Sequence, residues 1–326
     1  MQIFVCGMHR SGTSVIARLL NMLGAYVGPE GSGLAANAEN PKGFWERTDI
    51  VALNDRILAE ADARWFDPYP WLTRSPVAPS ASVSRAIRER LLDLDGHRPW
   101  FIKDPRLCLT LGAWLPHCER PVVVVCSRDA RAVASSLVKH STSLGFRLSR
   151  EEADALWETY ARSLLQAIDG IDCIYLRYED VLASPMTAVE RLLAELGNAG
   201  VVGLRRPDRR EVYAFVDREL QHHGAAPATP SAGPSVAAGL RGEVPNADLP
   251  PLPDSTMPAL AALHERLKRM DEVGISGIRD RDEIEAIQSR MRDLSGVLGD
   301  HDFSWSMQTL RRLVNTSDQR NEDGDR

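Results

Sequence analysis

Short apolar runs alternate with longer stretches of helical periodicity over the first two thirds of the chain. The apolar runs lie near 2–6, 99–103, 121–126 and 171–177. Each is short and almost continuously apolar, as expected for a strand that is buried on both faces. Apolar residues at helical spacing predict helices near 13–23, 49–61, 82–94, 129–139, 149–168 and 186–197. The alternation predicts an α/β fold, in which helices flank both faces of a parallel β-sheet.

The composition changes in the last third of the chain. Residues 225–256 are rich in Pro, Ala, Gly and Ser, which predicts a flexible linker after a main domain over 1–224. Helical spacing returns beyond it, for example at 284–294, and predicts a helical C-terminal segment over 257–326. Its apolar stripes are suited to packing or to self-association, and its polar end at 315–326 is expected to be disordered.

Charge and cysteine content exclude some classes of protein. A formal net charge of −6 gives no positive field to attract a polyanion, so a nucleic-acid partner is not expected. The five cysteines form no metal-like cluster, and three lie in predicted strands, which is typical of a reducing, cytoplasmic compartment. The chain begins with a predicted strand and has no long apolar run, so neither a signal peptide nor a membrane span is expected.

The first predicted strand runs directly into a glycine-bounded loop and a helix. Residues 7–14 are Gly-Met-His-Arg-Ser-Gly-Thr-Ser. A strand, such a loop and a helix in this order form a phosphate cradle, because the loop and the first helical turn direct backbone N–H groups at an anion. Compared with the ATP-binding pattern Gly-x4-Gly-Lys-Ser/Thr, the chain has Thr13 in place of the lysine, and its loop cation is Arg10.

A second anion-binding pattern follows the third predicted strand. Arg128 comes directly after this strand, and Ser136 lies eight residues further on, slightly more than two helical turns away. A planar guanidinium binds a phosphate through two hydrogen bonds, and a hydroxyl on the same side of the helix adds a third donor.

These two patterns, in this order, resemble the sulfotransferases that use 3′-phosphoadenosine-5′-phosphosulfate. In that family Lys or Arg precedes Ser-Gly-Thr in the loop, and the later pattern is Arg-Asn-Ala-Lys-Asp-Val-x-x-Ser. Residues 40–46, Asn-Pro-Lys-Gly-Phe-Trp-Glu, and 103–106, Lys-Asp-Pro-Arg, are more similar to the bacterial branch than to the animal cytosolic one. The resemblance covers residues 1–220 and implies a P-loop-like sulfotransferase fold, with no metal.

The resemblance also implies a role for each matching residue. The 5′-phosphosulfate would be held by the loop and by Lys103 at the end of the second strand, and the 3′-phosphate by Arg128 and Ser136. Tyr178, after the fourth strand, would lie near the adenine. The implied ligands in the loop are Arg10, Ser11, Gly12, Thr13 and Ser14. Sulfation would then transfer the sulfuryl group to a hydroxyl of a carbohydrate, glycolipid or secondary metabolite.

The catalytic base is less clearly marked. The histidine that follows the strand lysine in the animal enzymes is absent, and glycan- and tyrosine-modifying relatives use a Glu some 20 to 30 residues past the loop cation. Glu30, Glu39 and Glu46 lie in or near that window. Glu46 is preferred, because its aromatic surroundings raise the pKa of a carboxyl, and His9 is the rival base. A carboxyl base predicts a rate that falls at acid pH, and a His9 base predicts a fall nearer neutrality.

Aromatic residues in the region 30–75 are candidates for the wall of the acceptor pocket, since they suit stacking on sugars or apolar rings; packing as a lid is the equal alternative. They are Trp45, Trp65, Phe66, Tyr69 and Trp71.

Two other classes of function stay open. A nucleotide or small-molecule kinase would use a related loop, but the lysine at position 13 and an Asp closing the strand at 121–126 are both missing. A non-catalytic nucleotide-binding module would keep the phosphate ligands and lack transfer activity, while its C-terminal helices bind a partner. Magnesium-dependent ATP consumption would favour the kinase, and nucleotide affinity without transfer would favour the module.

Overall fold

All four predicted strands are present, and they lie side by side in one parallel sheet. Their bounds are β1 Gln2–Cys6, β2 Trp100–Lys103, β3 Pro121–Ser127 and β4 Asp172–Arg177. The strand order is β2-β1-β3-β4, with Val5 opposite both Lys103 and Val124. Because the strands are parallel, the segments that follow them emerge at one edge of the sheet.

The six predicted helices are confirmed to within a few residues. They are α1 Thr13–Met22, α2 Thr48–Ala59, α4 Ala81–Asp95, α6 Ala130–Ser143, α7 Arg150–Ala167 and α9 Pro185–Asn198. Four further helices were not predicted: α3 Tyr69–Thr73, α5 Leu107–Trp114, α8 Tyr178–Ala183 and α10 Arg209–Phe215. A further helix, α11 Thr256–Gly277, begins at the end of the predicted linker, and a 3₁₀ turn lies at Leu115–His117.

The structure is a computed structural model that describes residues 1–34, 45–73, 78–143, 146–216 and 253–277. It divides into one unit of Met1–Gly33 with Trp45–Leu260 and a second of Leu34–Phe44 with Ala261–Arg326. Most of the predicted linker, the predicted helix at 284–294 and the predicted disordered end at 315–326 lie outside the described residues. The division into 1–224, 225–256 and 257–326 therefore stays a prediction.

The core of the first unit forms around the sheet because its strands are apolar on both faces. Every residue of β1 is buried, and residues 122–125 of β3 are valines exposed by no more than 1%. The interior side of α1 packs on this sheet through Ile16, Leu19 and Leu20. This packing fixes the start of α1, and with it the preceding loop, at the carboxyl ends of the strands.

None of the helices in the described part of the chain is long and apolar enough to cross a membrane. Within the same residues, no group of three or more His, Cys, Asp or Glu side chains is arranged to hold a metal ion.

Candidate active site

The loop at residues 7–12 is shaped by two glycines that other parts of the protein approach closely. A Cβ at Gly7 would lie 2.5 Å from the carbonyl oxygen of Cys126, and one at Gly12 would lie 2.1 Å from Cδ2 of Tyr178. Gly12 also has φ +91°, in the left-handed region that favours glycine. A larger residue at either position would push the loop away from the neighbouring strand end.

Gly12 is the N-cap of α1 and provides no side chain to cap the helix. The amide N–H groups in the first turn of a helix have no partner within the helix, and they carry the positive end of its dipole. Before this turn the loop closes with a hydrogen bond from the Ser11 amide to the carbonyl of Met8, at 3.0 Å. The start of α1 therefore has the backbone geometry of an anion site, and the binding of a phosphate there stays a prediction.

Arg10 joins the two predicted phosphate motifs. Its Nε donates to the Ser136 hydroxyl at 2.9 Å, and its own carbonyl accepts from Nη1 of Arg128 at 2.9 Å. The backbone of Arg10 is left-handed, with φ +70°, and this places its side chain and carbonyl toward β3 and α6. Residues that are 118 to 126 positions apart in the sequence thus form one cluster.

Tyr178 lies against the loop, and its side chain is 9% exposed. The guanidinium of Arg128 lies over the tyrosine ring, 4.8 Å from its centroid, which is a cation–π contact. Next to it, Oε1 of Glu179 accepts from the amide of Asp129 at 3.0 Å. The start of α8 therefore supports both the loop and Arg128, and the predicted contact of Tyr178 with adenine stays a prediction.

Lys103 and Glu46 form a buried ion pair beside the loop. Lys103, at the carboxyl end of β2, is 3% exposed, and Glu46, two residues before α2, is 5% exposed. The Lys103 ammonium contacts Oε1 of Glu46 and also donates to the Ser14 hydroxyl at 3.2 Å. Lys103 therefore touches both the predicted phosphate loop and the predicted base.

The Glu46 carboxyl has the properties of a general base near neutral pH. Its burial raises its pKa to about 7, and the Lys103 ammonium opposes that rise. Its Oε2 atom is buried and has no hydrogen-bond partner among the described residues. One oxygen is thus held by a cation, and the other accepts no hydrogen bond from the described residues; a base needs such an oxygen to accept a proton from a substrate.

His9 is a buried imidazole packed against an aromatic ring. Its ring lies 4.3 Å from that of Trp65, centroid to centroid, and its buried Nε2 has no hydrogen-bond partner among the described residues. Burial, and then the positive charge of Arg106, lower its pKa well below the ordinary value. The structure therefore reverses the expected order of titration: Glu46, and not His9, titrates near neutrality.

The other two candidate carboxylates differ in what the structure describes of them. Glu30 is exposed, and Glu39 lies outside the described residues. Of the three glutamates, the structure brings Glu46 to the end of β2.

The candidate aromatic wall is divided between the interior and the surface. Trp65 and Phe66 are each 7% exposed and pack in a cluster with Phe146, and the Tyr160 hydroxyl donates to the carbonyl of Trp65 at 2.7 Å. Tyr69 and Trp71, in α3, are partly buried. Trp45 is partly buried, and the Arg18 guanidinium lies 5.3 Å from its ring centroid. Trp65 and Phe66 use their surfaces in packing, and a role for the five aromatic residues in the acceptor pocket stays a prediction.

Sequence reasoning gave no role to the polar residues around Lys103. Asn54, Asp104 and Arg106 are buried and hydrogen-bonded to one another. The available signal was the run Asp-Pro-Arg directly after an apolar strand, since charged residues at a strand end are usually solvated and these are not.

Comparison with known proteins gives the family. The sequence profile of the sulfotransferase family matches residues 2–199. The chain belongs to the sulfotransferase family. The matched segment runs from β1 to the end of α9 and contains both phosphate motifs, Lys103 and Tyr178. The protein is accordingly a transferase. Membership of this family favours transfer of a sulfuryl group over the phosphoryl transfer of the kinase alternative.

Three solved structures are similar to this sulfotransferase. The sulfotransferase domain from the curacin biosynthetic pathway is 14% identical, with 80% of this chain and 96% of that chain covered and a TM-score of 0.40. The sulfotransferase domain from the Synechococcus PCC 7002 olefin synthase is 15% identical, with 81% and 94% covered and a TM-score of 0.38. The sulfotransferase STF9 from Mycobacterium avium is 20% identical, with 81% and 76% covered and a TM-score of 0.39. Among curated proteins, no sequence matches significantly.

Proposed function

We propose that this sulfotransferase moves a sulfuryl group from 3′-phosphoadenosine-5′-phosphosulfate to a hydroxyl of a small acceptor, namely a carbohydrate, glycolipid or secondary metabolite. The observation that carries the proposal is the meeting of the two phosphate motifs at Arg10, through Ser136 and Arg128. A donor with phosphates on both its 5′ and 3′ sides needs two anion sites at a fixed separation. A nucleotide without a 3′-phosphate needs one.

In this proposal the chain supplies the donor site from three elements. The first turn of α1, with Ser11, Thr13 and Ser14, binds the 5′-phosphate through backbone and hydroxyl donors. Arg128 and Ser136 bind the 3′-phosphate, and Arg10 lies between the two phosphates. The proposal assigns the neutralisation of donor charge to these arginines and Lys103, so it requires no metal.

The transfer step follows from the position of Lys103 between Ser14 and Glu46. Glu46 takes the proton of the acceptor hydroxyl while the hydroxyl oxygen forms a bond to sulfur. The bond from sulfur to the bridging oxygen of the 5′-phosphate breaks in line, and 3′,5′-adenosine bisphosphate leaves. Lys103 stabilises the negative charge that accumulates on the sulfuryl and leaving oxygens.

A direct test incubates the protein with radiolabelled phosphosulfate donor and a metabolite extract, and identifies the labelled product. Transfer of label to a hydroxyl-bearing compound supports the proposal. Binding of the donor without transfer to any acceptor would instead support the non-catalytic module.

Donor recognition gives a separate prediction. We expect 3′,5′-adenosine bisphosphate to bind about ten- to a hundredfold more tightly than 5′-AMP, because the contacts of a charged, desolvated phosphate contribute about 1.5–3 kcal/mol. Isothermal titration calorimetry measures both affinities. Arg128→Gln should remove most of the difference, and Arg131→Gln, which changes an exposed cation in the first turn of α6, should keep it. Equal affinities of the parental protein for the two nucleotides would contradict the assignment of Arg128 and Ser136.

Three expectations about cellular context stay predictions: a cytoplasmic location, the lack of a nucleic-acid partner, and self-association through the C-terminal helices. Size-exclusion chromatography with light scattering tests the last of these.

A further inference from the structure

We propose that Asp104 is a positioning residue for sulfuryl transfer: together with Asn54 and Arg106 it forms a buried network, here called the Asp104 network, that holds Lys103 and Glu46 against each other. The inference rests on the proposed function, since it assigns a task to residues around the proposed base.

Asp104 is fully buried, and both of its carboxylate oxygens accept hydrogen bonds. Oδ1 accepts from the backbone amide of Arg106 at 2.9 Å and from its Nη1 at 3.2 Å. Oδ2 accepts from Nδ2 of Asn54 at 2.8 Å. These bonds fix the backbone directly after Lys103, where β2 ends and α5 begins at Leu107.

Asn54 connects this turn to α2, the helix that follows Glu46. Its Oδ1 accepts from the Thr110 hydroxyl at 2.8 Å and from Nε1 of Trp114 at 2.9 Å, so α2 is fixed to α5. One residue further along α2, Asp55 accepts from Nε of Arg106 at 2.6 Å. Asp104 is therefore connected to α2 twice: directly through Asn54, and through Arg106, which donates to Asp55.

This connection determines where Glu46 lies relative to Lys103. Glu46 precedes the first residue of α2, Thr48, by two positions, and Lys103 precedes Asp104 by one. Each member of the ion pair is thus a near neighbour in sequence of a part of the Asp104 network: Glu46 lies just before α2, and Lys103 lies just before Asp104. A shift of α2 along α5 would move the Glu46 carboxylate away from the Lys103 ammonium.

A buried polar network that joins two helices carries a large desolvation penalty in the free energy of folding. Buried ion pairs are often matched or exceeded in stability by well-packed apolar residues of similar volume, and losing one partner leaves an uncompensated buried charge. Its compensation is directional, since hydrogen bonds fix distances and angles that apolar contacts leave variable. The negative charge of Asp104 also contributes to the raised pKa of Glu46, and the positive charge of Arg106 contributes to the lowered pKa of His9.

The test is a double-mutant cycle of Asp104→Asn and Glu46→Gln, with kcat measured for each variant. We expect Asp104→Asn to lower kcat about ten- to a hundredfold, because small misplacements of reacting groups have effects of this size. In the Glu46→Gln background, where no base remains to be positioned, the same change should lower kcat by less than about threefold. An equal factor in both backgrounds would overturn the proposal, since it would show a general structural effect.

A second readout does not depend on activity. Carbon-13 NMR of the glutamate carboxyls, with the Glu46 signal assigned by its loss in Glu46→Gln, follows the titration directly. Arg106→Lys keeps every charge but loses the bonds that reach Asp55 and Asp104, so the Lys103 ammonium should draw back from Glu46 and the Glu46 midpoint should move to higher pH. An unmoved midpoint in this variant would overturn the proposal. If Glu46→Gln retained the parental rate, the base assignment would fail, while this titration would still test the network.

Two further variants separate positioning from folding. Gln2→Met removes a buried amide at the amino end of β1, where Gln2 accepts from the Glu119 amide at 2.9 Å, and it should lower thermal stability with kcat and the Glu46 titration unchanged. Arg106→Lys keeps the positive charge but loses the fork that reaches Asp55 and Asp104, so it should lower kcat in the parental background and much less in Glu46→Gln. If Asp104→Asn does not fold, Arg106→Lys takes its place in the double-mutant cycle with Glu46→Gln. A parental kcat in folded Arg106→Lys would contradict the network.

Discussion

Glu46→Gln is expected to lower kcat by about a hundred- to ten-thousandfold while the affinity for the donor stays nearly unchanged. The glutamine keeps the shape of the side chain and can still accept from Lys103, but it cannot take the proton of the acceptor hydroxyl. Steady-state rates with saturating donor and acceptor measure kcat, and calorimetry with 3′,5′-adenosine bisphosphate measures donor affinity.

The same assignment fixes the pH dependence of the parental enzyme. A base acts in its deprotonated form, and the pKa of Glu46 is raised to about 7, so kcat should be maximal above this value and fall tenfold per pH unit well below it. If His9 were the base, its lowered pKa would place the fall at a more acid pH. In Glu46→Gln the fall of kcat near neutral pH should disappear from the pH–rate profile.

Matched substitutions test the specificity of this result. Glu30→Gln changes an exposed carboxyl and should leave kcat within about twofold, and Glu39→Gln should also be mild. His9→Asn should act mainly through donor binding. A fully active Glu46→Gln enzyme would assign the base to His9 or Glu30 and leave the donor site unaffected.

Arg10→Ala should abolish transfer and leave the fold intact. The change removes the cation that lies between the two phosphate motifs, together with its hydrogen bond to Ser136. The backbone carbonyl that accepts from Arg128 remains, and alanine and arginine both carry a Cβ in the left-handed conformation, so the loop is not additionally strained. The transfer rate and the circular-dichroism melting curve measure the two effects separately.

Arg10→Lys should retain part of the rate, because it keeps the charge and loses the planar, two-point geometry of the guanidinium. Arg131→Ala serves as the control, since it removes one exposed cation from α6. If Arg10→Ala transferred the sulfuryl group at the parental rate, the loop would have a structural role only.

The sequence determined the features of this protein that depend on local patterns. The valine run of β3 and the apolar run of β1 are buried on both faces, so their positions could be predicted from apolar continuity alone. Gly7 and Gly12 marked the loop, because close approach to Cys126 and Tyr178 excludes a Cβ at either position. The sequence pattern did not predict α5, because seven of its eight residues are buried and it therefore has no polar face to give a helical period.

The tertiary structure decided which distant residues act together and in which charge state. Arg10 and Ser136 are 126 positions apart, and Lys103 and Glu46 are 57 apart, and no periodicity or spacing encodes either contact. The order in which Glu46 and His9 titrate also depends on the fold. Burial disfavours the charged form of both groups, which raises the pKa of an acid and lowers that of a base, and the sequence does not state how deeply either is buried.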